Sequence, residues 1–202
     1  MLKTVLVSLA CQRAPLRRAL LMAGLASGMC GLAPSFVSPA VAAPGAPTLC
    51  RPGETVVFSC PTGGRTASVC ASADLSSATG TMTYRYGRPD AVELSFPAAG
   101  VRPADAFTSG TLMFAGGGGA WLRFENGGVR YTVFSAIGKW GRGGAPLGVA
   151  GVAVQKGGTE IANVRCRADP TGELGPDFFA RAGLKTAAPD AEFEIPESFF
   201  PK

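Results

Sequence analysis

Hydrophobic and polar residues alternate through the middle of the chain with the two-residue period of a β-strand. In residues 81–87, TMTYRYG, every second side chain is apolar or aromatic, and residues 91–96, AVELSF, repeat the alternation. Each segment predicts a strand with one buried and one exposed face. Similar runs, separated by glycine and proline, predict strands at 54–60, 66–72, 81–87, 91–96, 111–115, 119–125, 129–137, 147–155 and 159–166.

Short strands at this spacing are typical of an all-β fold. They predict a single antiparallel barrel or sandwich of about eight or nine strands, with residues 43–168 as the β domain. Near the end of this domain, VAVQKGGTEIANV predicts a hairpin that turns at Gly157-Gly158.

The composition changes at Pro170, and residues 169–202 are predicted to form an acidic C-terminal extension. A proline at the first turn and a following glycine predict one short helix at about 176–182. Residues 186–202 would be mobile unless they dock on the β domain. Docking is favoured by three phenylalanines, Phe193, Phe199 and Phe200.

The first 42 residues predict a signal peptide. Basic residues that end at Arg17-Arg18 precede an apolar run at 19–32, and a small-x-small pattern follows at Ala40-Val41-Ala42. We expect cleavage after Ala42 and a periplasmic or secreted protein; the alternative is a short anchor that is never cut. A membrane span needs roughly 20 apolar residues, and no later segment supplies one.

The net charge depends on this leader. The chain has 19 basic and 14 acidic residues, but residues 43–202 keep 15 bases and 14 acids, a net charge of +1. Residues 43–168 carry +5 and residues 169–202 carry −4. The acidic extension is therefore expected either to lie against the basic domain or to be solvated independently. No cluster of Lys and Arg is dense enough to indicate nucleic-acid binding.

Four cysteines remain after the leader, Cys50, Cys60, Cys70 and Cys166. An even number in an exported chain predicts two disulfides, and the residues alone allow three pairings. The chain has no histidine, so neither a zinc site nor a Ser-His or Cys-His nucleophile is expected. We predict no metal, no cofactor and no catalytic residues. Paired acids of a glycosidase type stay conceivable, and the candidates are Asp74, Asp90, Glu93 and Asp105.

The segment AGGGGAWLRFENGGVRY, residues 115–131, predicts a hairpin. A two-residue turn at Asn126-Gly127 would place Arg123 directly opposite Arg130 on one sheet face. Like charges in such positions are mildly destabilising. Two arrangements are open: either Glu125 pairs with one guanidinium and Trp121 stacks on the other, or the arginines and the indole accept an anion.

Two glycine-rich loops are candidates for binding. The run Gly116–Gly119 leads into a strand and lacks the Lys-Ser/Thr of a phosphate loop, so it is expected to serve backbone geometry. The segment GKWGRGGAPLG, residues 138–148, places Lys139, Trp140 and Arg142 on a loop. Such a loop suits protein or glycan binding better than covalent catalysis.

A resemblance rests on CRPGETVVFSCPTGGRTASVCAS, YRYGRP, GGGGAWLRF and GVAVQKGGTEIANVRC. Over about residues 50–183 the chain resembles an uncharacterised family of small exported proteobacterial proteins. In the order of its features it more distantly resembles the inhibitors of c-type lysozyme, which are small β-barrels. In those proteins an early aromatic-x-Cys motif is linked to a late cysteine, and an SGxxY loop, helped by a Lys-Gly, enters the lysozyme cleft.

The matching positions here are Phe58-Ser59-Cys60, Gly116–Trp121, Lys139 and Cys166. The resemblance implies a disulfide between Cys60 and Cys166, which leaves Cys50 for Cys70. The loop serine of that family is absent and its tyrosine is replaced by Trp121, so the resemblance supports the β-barrel more than the inhibition.

These features predict an exported, non-enzymatic binding or inhibitor-like protein with a protein or glycan partner. The alternatives are a structural or accessory envelope protein without a specific ligand and a histidine-free hydrolase. The predicted binding residues are Trp121, Arg123, Arg130, Lys139, Trp140 and Arg142.

Overall fold

A computed structural model describes residues 46–188 and 191–201, and the predicted signal peptide lies outside them. About half of the described chain lies in β-strands, and helices are few and short. Its strands are β1 (Glu54–Pro61), β2 (Thr66–Ser72), β3 (Met82–Arg88), β4 (Ala91–Phe96), β5 (Thr108–Phe114), β6 (Gly117–Asn126), β7 (Val129–Gly138), β8 (Leu147–Lys156), β9 (Thr159–Arg165) and β10 (Lys185–Thr186). Its α-helices are α1 (Pro103–Ala106) and α2 (Pro176–Arg181).

The strands form two sheets that pack into a sandwich. One sheet has four strands in the order β1-β2-β3-β4, and the other has six in the order β10-β5-β6-β7-β8-β9. All pairs are antiparallel except β10 with β5. The predicted all-β fold is confirmed, and within the described residues the sheets form a sandwich rather than a closed barrel.

Two strands begin two or three residues earlier than predicted, whereas the boundaries of the other predicted strands agree to within one residue. β5 begins at Thr108 rather than at residue 111, and β6 begins at Gly117 rather than at residue 119. Glycine is a weak strand former on its own, but Gly117 and the two glycines after it pair with β5, and the latter two also pair with β7. Pairing to neighbours therefore overrides the local preference for a loop.

The core between the sheets is rich in aromatic rings. Phe124 stacks on Phe96 at 4.6 Å and on Tyr131 at 4.9 Å between ring centres. Tyr84 is buried beside Phe124, and this burial raises the pKa of the Tyr84 hydroxyl. Each such ring contributes roughly 1.5–3 kcal/mol through burial, so the contacts of Phe124 on β6 with β3 and β4 stabilise the packing of the two sheets.

The two disulfides join Cys50 to Cys70 and Cys60 to Cys166. The second spans 106 residues of sequence. It links β1 of the four-stranded sheet to the residue that follows β9 of the six-stranded sheet. The covalent bond therefore ties the two layers together at one side of the sandwich.

A buried ion pair anchors the segment that leads into β1. The Arg85 side chain is 7 % exposed and binds Glu54 in a bidentate fashion, with N–O distances of 2.6 and 2.9 Å. Arg85 Nη1 also donates to the carbonyl of Leu49 at 3.2 Å. The hydrogen bond from Arg85 lowers the pKa of Glu54, although partial burial of the carboxylate opposes that change.

We expect Glu54→Gln to lower the free energy of unfolding at pH 7 by about 1–2 kcal/mol, because a charged hydrogen bond is lost at a partly solvated site. The lowered pKa of Glu54 means that the pair contributes fully above about pH 4.5 and that this contribution is lost as the pH falls through the lowered pKa. Urea unfolding at pH 7 and pH 3 should show that the difference in the free energy of unfolding between the native protein and the variant is smaller at pH 3. A difference of constant size would contradict the prediction.

Candidate binding surface

The β6–β7 hairpin turns at Gly127-Gly128, so the prediction of a turn at Asn126-Gly127 is wrong. Both glycines have positive φ, 59° and 74°, as the favoured two-residue hairpin turn requires at both central positions. Two glycines adopt this conformation without a side-chain penalty, which Asn126 would carry in the first position. The observed register places Glu125 opposite Arg130.

This register changes the partners of the two arginines but keeps them on the predicted sheet face. Arg123 lies opposite Thr132 rather than Arg130, since each pairing moves by two residues. Arg130 Nη2 lies 2.9 Å from Glu125 Oε1, and the Arg123 guanidinium lies 4.4 Å from the centre of the Trp121 ring. The first of the two arrangements expected for this face is therefore the one observed.

The C-terminal strap, residues 191–201, covers the outer face of the six-stranded sheet. Phe193 and Phe199 are buried there, and both rings pack on Phe134 of β7, at 5.2 and 4.8 Å. Arg165 of β9 donates to the carbonyl of Phe199 at 2.6 Å. The strap thus buries the middle of this sheet on its outer face as well, and the predicted docking of the acidic extension takes place through its aromatic residues.

Trp121 lies beneath the strap. The indole is 2 % exposed and lies 6.3 Å from the Phe193 ring. On the neighbouring strand β5, Gly110 leaves the space for it, because a Cβ at that position would lie 2.4 Å from the indole. Trp121 was predicted to bind a ligand, but in this arrangement it is a core side chain.

Arg123 also holds the strap in place. Its Nη1 donates to the carbonyl of Ala191 at 2.7 Å, and its Nε donates to Thr132 Oγ1 at 3.3 Å. Burial, together with the positive charge of Arg130, lowers the pKa of Arg123. The Arg123 guanidinium therefore makes most of its contacts within the protein, with the strap, Thr132 and Trp121.

The two glycine-rich loops come together at one end of the six-stranded sheet. Lys139 passes so close to the Ala115-Gly116 turn that a Cβ on Gly116 would lie 2.6 Å from its Cε. Trp140 packs between Phe114 and Phe200, with ring centres 4.8 and 4.9 Å away. We call the Ala115-Gly116 turn and residues 139–146 the loop end.

The six predicted binding residues do not share one surface. Lys139 and Arg142 are exposed at the loop end, with Trp140 half-buried between them. Along β6, Arg123 is about 23 Å from Gly116 at roughly 3.3 Å per residue. Arg123 and Arg130 therefore lie far from the loop end, and Trp121 lies beneath the strap.

A cleft of about 870 Å³ opens beside the loop end. Its floor lies on β6, β7 and β8 and is made mainly of glycine, alanine and serine, and residues 165–170 and 174–176 form its far wall. Next to the floor, Met113 is 90 % exposed and Ile137 is 54 % exposed, and both pair with Gly118 across neighbouring strands. The sequence analysis did not identify these residues, because their exposure depends on whether another part of the fold covers them.

A second cleft, of about 890 Å³, lies at the opposite end of β6. It is lined by Phe96 and Val101 on one side and by Arg123, Arg130 and Lys185 on the other. All three cations have partners within the protein, since Glu125 binds Arg130, the strap carbonyl of Ala191 binds Arg123, and Asp105 lies 3.8 Å from Lys185. Residues 189–190, between two lining residues of the strap region, lie outside the described chain.

Three of the four acids considered for glycoside hydrolysis form ion pairs with neighbouring arginines. Glu93 pairs with Arg65, Asp90 with Arg88, and Asp105 with Arg102. In the described chain, the one group of side chains spaced for a metal ion is Cys50, Glu54 and Cys70. Its cysteines are joined in a disulfide and its carboxylate binds Arg85, so these residues do not fit a metal ion.

Within residues 46–188 and 191–201, no helix is long and apolar enough to cross a lipid bilayer. The chain was also compared with protein-family models, curated proteins and solved structures, and none of the three comparisons gave a match. The resemblance to the lysozyme inhibitors therefore stays a prediction.

Proposed function

We propose that the protein is an exported binding module that recognises a protein or glycan partner through the loop end and the cleft beside it. The observation that carries this proposal is the meeting of the two glycine-rich loops, which brings the Lys139 side chain over Gly116 and leaves Arg142 exposed next to it. Trp121 and Arg123 take no part in this surface, since they hold the strap.

The chemistry of the loop end suits a partner that carries anionic groups. No acidic side chain of the described residues forms an ion pair with Lys139 or Arg142. Both cations can therefore bind carboxylate or sulfate groups of a partner. Met113 and Ile137 add exposed apolar surface beside them, as is common where a protein contacts a partner.

The proposed location is the periplasm or the exterior of the cell. Two disulfides indicate a compartment more oxidising than the cytoplasm, and residues 1–42 carry the pattern of a signal peptide. The proposed role needs no catalytic step, because binding through exposed cations and apolar side chains requires neither a nucleophile nor a general base.

The double variant Lys139→Ala/Arg142→Ala is expected to lose at least about tenfold in affinity for the captured partner, equivalent to about 1.4 kcal/mol. The partner would be isolated by pull-down from host fluid and from peptidoglycan fragments, and lysozyme would be assayed directly for inhibition. The reason is the loss of two exposed cations at the contact.

A matched control removes the same charge elsewhere. Arg88→Ala/Lys156→Ala also deletes two exposed cations, at the β3–β4 and β8–β9 turns, and should bind as the native protein does. If both double variants captured the partner equally well, the loop end would be rejected as the binding surface. An accessory envelope protein with no ligand at that surface would then be favoured.

A further inference from the structure

The first residues of β8 form an open sheet edge. β9 pairs with β8 from Lys156 to Gly151, and Cys166 then donates one more hydrogen bond to the carbonyl of Ala150 at 3.0 Å. After that the chain leaves the sheet, since the Arg167 N–H donates to the carbonyl of Pro61 on β1 at 2.8 Å. Residues 147–149 are consequently paired with β7 alone.

The polar groups on this edge can be identified from the ladder. In an antiparallel strand, the N–H and C=O of one residue point to the same side and successive residues alternate. The Ala150 carbonyl points away from β7, because it accepts from Cys166. The Ala150 N–H and both backbone groups of Gly148 therefore also point away from β7, and no backbone group in the described ranges bonds to them.

These backbone groups face the cleft of about 870 Å³ described above. That volume is in the range of sites that bury a whole ligand. Sheet edges are usually protected by lysine, proline or a bulge, yet residues 147–150, LGVA, carry neither lysine nor proline, and their ladder to β7 is regular. The edge is thus open to an added strand over a short length.

The charges around the edge select the occupant. Arg165 and Arg167 line the cleft against one acid, Asp169, and Lys139 and Arg142 lie on the loop that leads into β8. If a second copy of this chain paired with the edge, its own cations would face those of the first copy, and this repulsion is unfavourable. An acidic segment meets them with the opposite sign.

We infer that the β8 edge captures an extended acidic segment of a protein partner as an additional strand. The inference rests on the proposed function, for which it supplies the partner class. Main-chain hydrogen bonds to Gly148 and Ala150 give the attachment, and the small side chains of the cleft floor accept every second side chain of the segment. The cations around the cleft give the preference for glutamate and aspartate.

The test uses the full chain, labelled with ¹⁵N, and a short synthetic peptide in which valine and glutamate alternate. The peptide should shift the amide resonances of Gly148 and Ala150. At ten times its Kd, it should slow hydrogen exchange at these amides roughly tenfold, because the bound state protects them. The counterpart peptide with lysine for glutamate, and the glutamate peptide with alternate amides N-methylated, should bind at least about tenfold more weakly.

Variants at Gly148 give a matched pair on the protein side. Gly148→Pro removes an N–H that β7 does not use, and proline is tolerated at a sheet edge, so this variant should fold and fail to bind the peptide. Gly148→Ala keeps the N–H, and its Cβ would lie 3.8 Å from the nearest side-chain atom, on Asp169. It should bind as the native protein does.

Several results would overturn the inference: equal binding of the N-methylated peptide, resonance shifts that leave residues 147–150 unchanged, or protection of Gly148 in a dimer without peptide. Loss of partner capture in Lys139→Ala/Arg142→Ala without any peptide binding at β8 would retain the proposed function and reject the added strand. Peptide binding at β8, together with full partner capture by that variant, would reject the loop end as the contact and retain the added strand.

Discussion

Replacing Phe199 by alanine is expected to lower the free energy of unfolding by about 3–5 kcal/mol. The ring is 2 % exposed and packs edge-on against Phe134 at 4.8 Å. Its removal leaves a cavity on the outer face of the six-stranded sheet, where the rigid ladder of β7 and β8 cannot collapse to fill it. Urea unfolding of the native and variant proteins measures the difference.

The control for this experiment lies in the same strap. Glu197 is exposed two residues earlier, and Glu197→Ala should change the free energy of unfolding by no more than about 0.5 kcal/mol. If both variants unfold alike, the strap is held by something other than its aromatic side chains. Acrylamide quenching of Trp121 and Trp140, which both pack on strap phenylalanines, reports the related case in which the strap of Phe199→Ala detaches while the sandwich stays folded.

The strap also connects stability to the proposed function. Phe200 packs on Trp140 at 4.9 Å, and Trp140 packs on Phe114 at 4.8 Å. Through these contacts the strap packs against the loop end, where Lys139 lies over the β5–β6 turn. Detachment of the strap would therefore leave the loop less well ordered.

The sequence predicts the strands well because alternation is a local property. Leu122 and Phe124 face the core and Trp121 faces the other side, as the pattern of β6 requires. The turn is harder, because Asn126-Gly127 and Gly127-Gly128 overlap in the sequence and both resemble hairpin turns. Only the pairing of Glu125 with Arg130 across the ladder distinguishes them.

The candidate site is less predictable than the strands, for a physical reason. Trp121 has the composition of a binding residue, but its burial depends on Phe193, 72 positions later in the sequence. The open edge at Gly148 exists because β9 ends at Arg165 and the following residues cross to β1. Neither contact leaves a local pattern, since each joins segments that are distant along the chain.

Breaking the long disulfide should cost more stability than breaking the short one. Cys60→Ser/Cys166→Ser opens a loop of sequence separation 106, and Cys50→Ser/Cys70→Ser opens one of 20. In the chain-entropy account, closing a loop of about 100 residues contributes about 4.7 kcal/mol and closing one of about 15 contributes about 3 kcal/mol. We therefore expect the first double variant to be the less stable by about 1–1.5 kcal/mol, measured by urea unfolding.

The position of Cys166 gives this prediction a second readout. Cys166 donates the last hydrogen bond to β8, and the Arg167 N–H then bonds to Pro61 on β1, next to Cys60. The disulfide therefore fixes the place where the chain leaves the sheet, and with it the length of the open edge. In Cys60→Ser/Cys166→Ser, hydrogen exchange at the amide of residue 166 should accelerate more than exchange in the centre of β7. In Cys50→Ser/Cys70→Ser, exchange at the Cys166 amide should accelerate only as much as the loss of global stability requires. If the short disulfide proved the more stabilising, or if Cys166 exchanged no faster than β7, the cleft wall would be held by the hydrogen bonds to β1 and not by the covalent link.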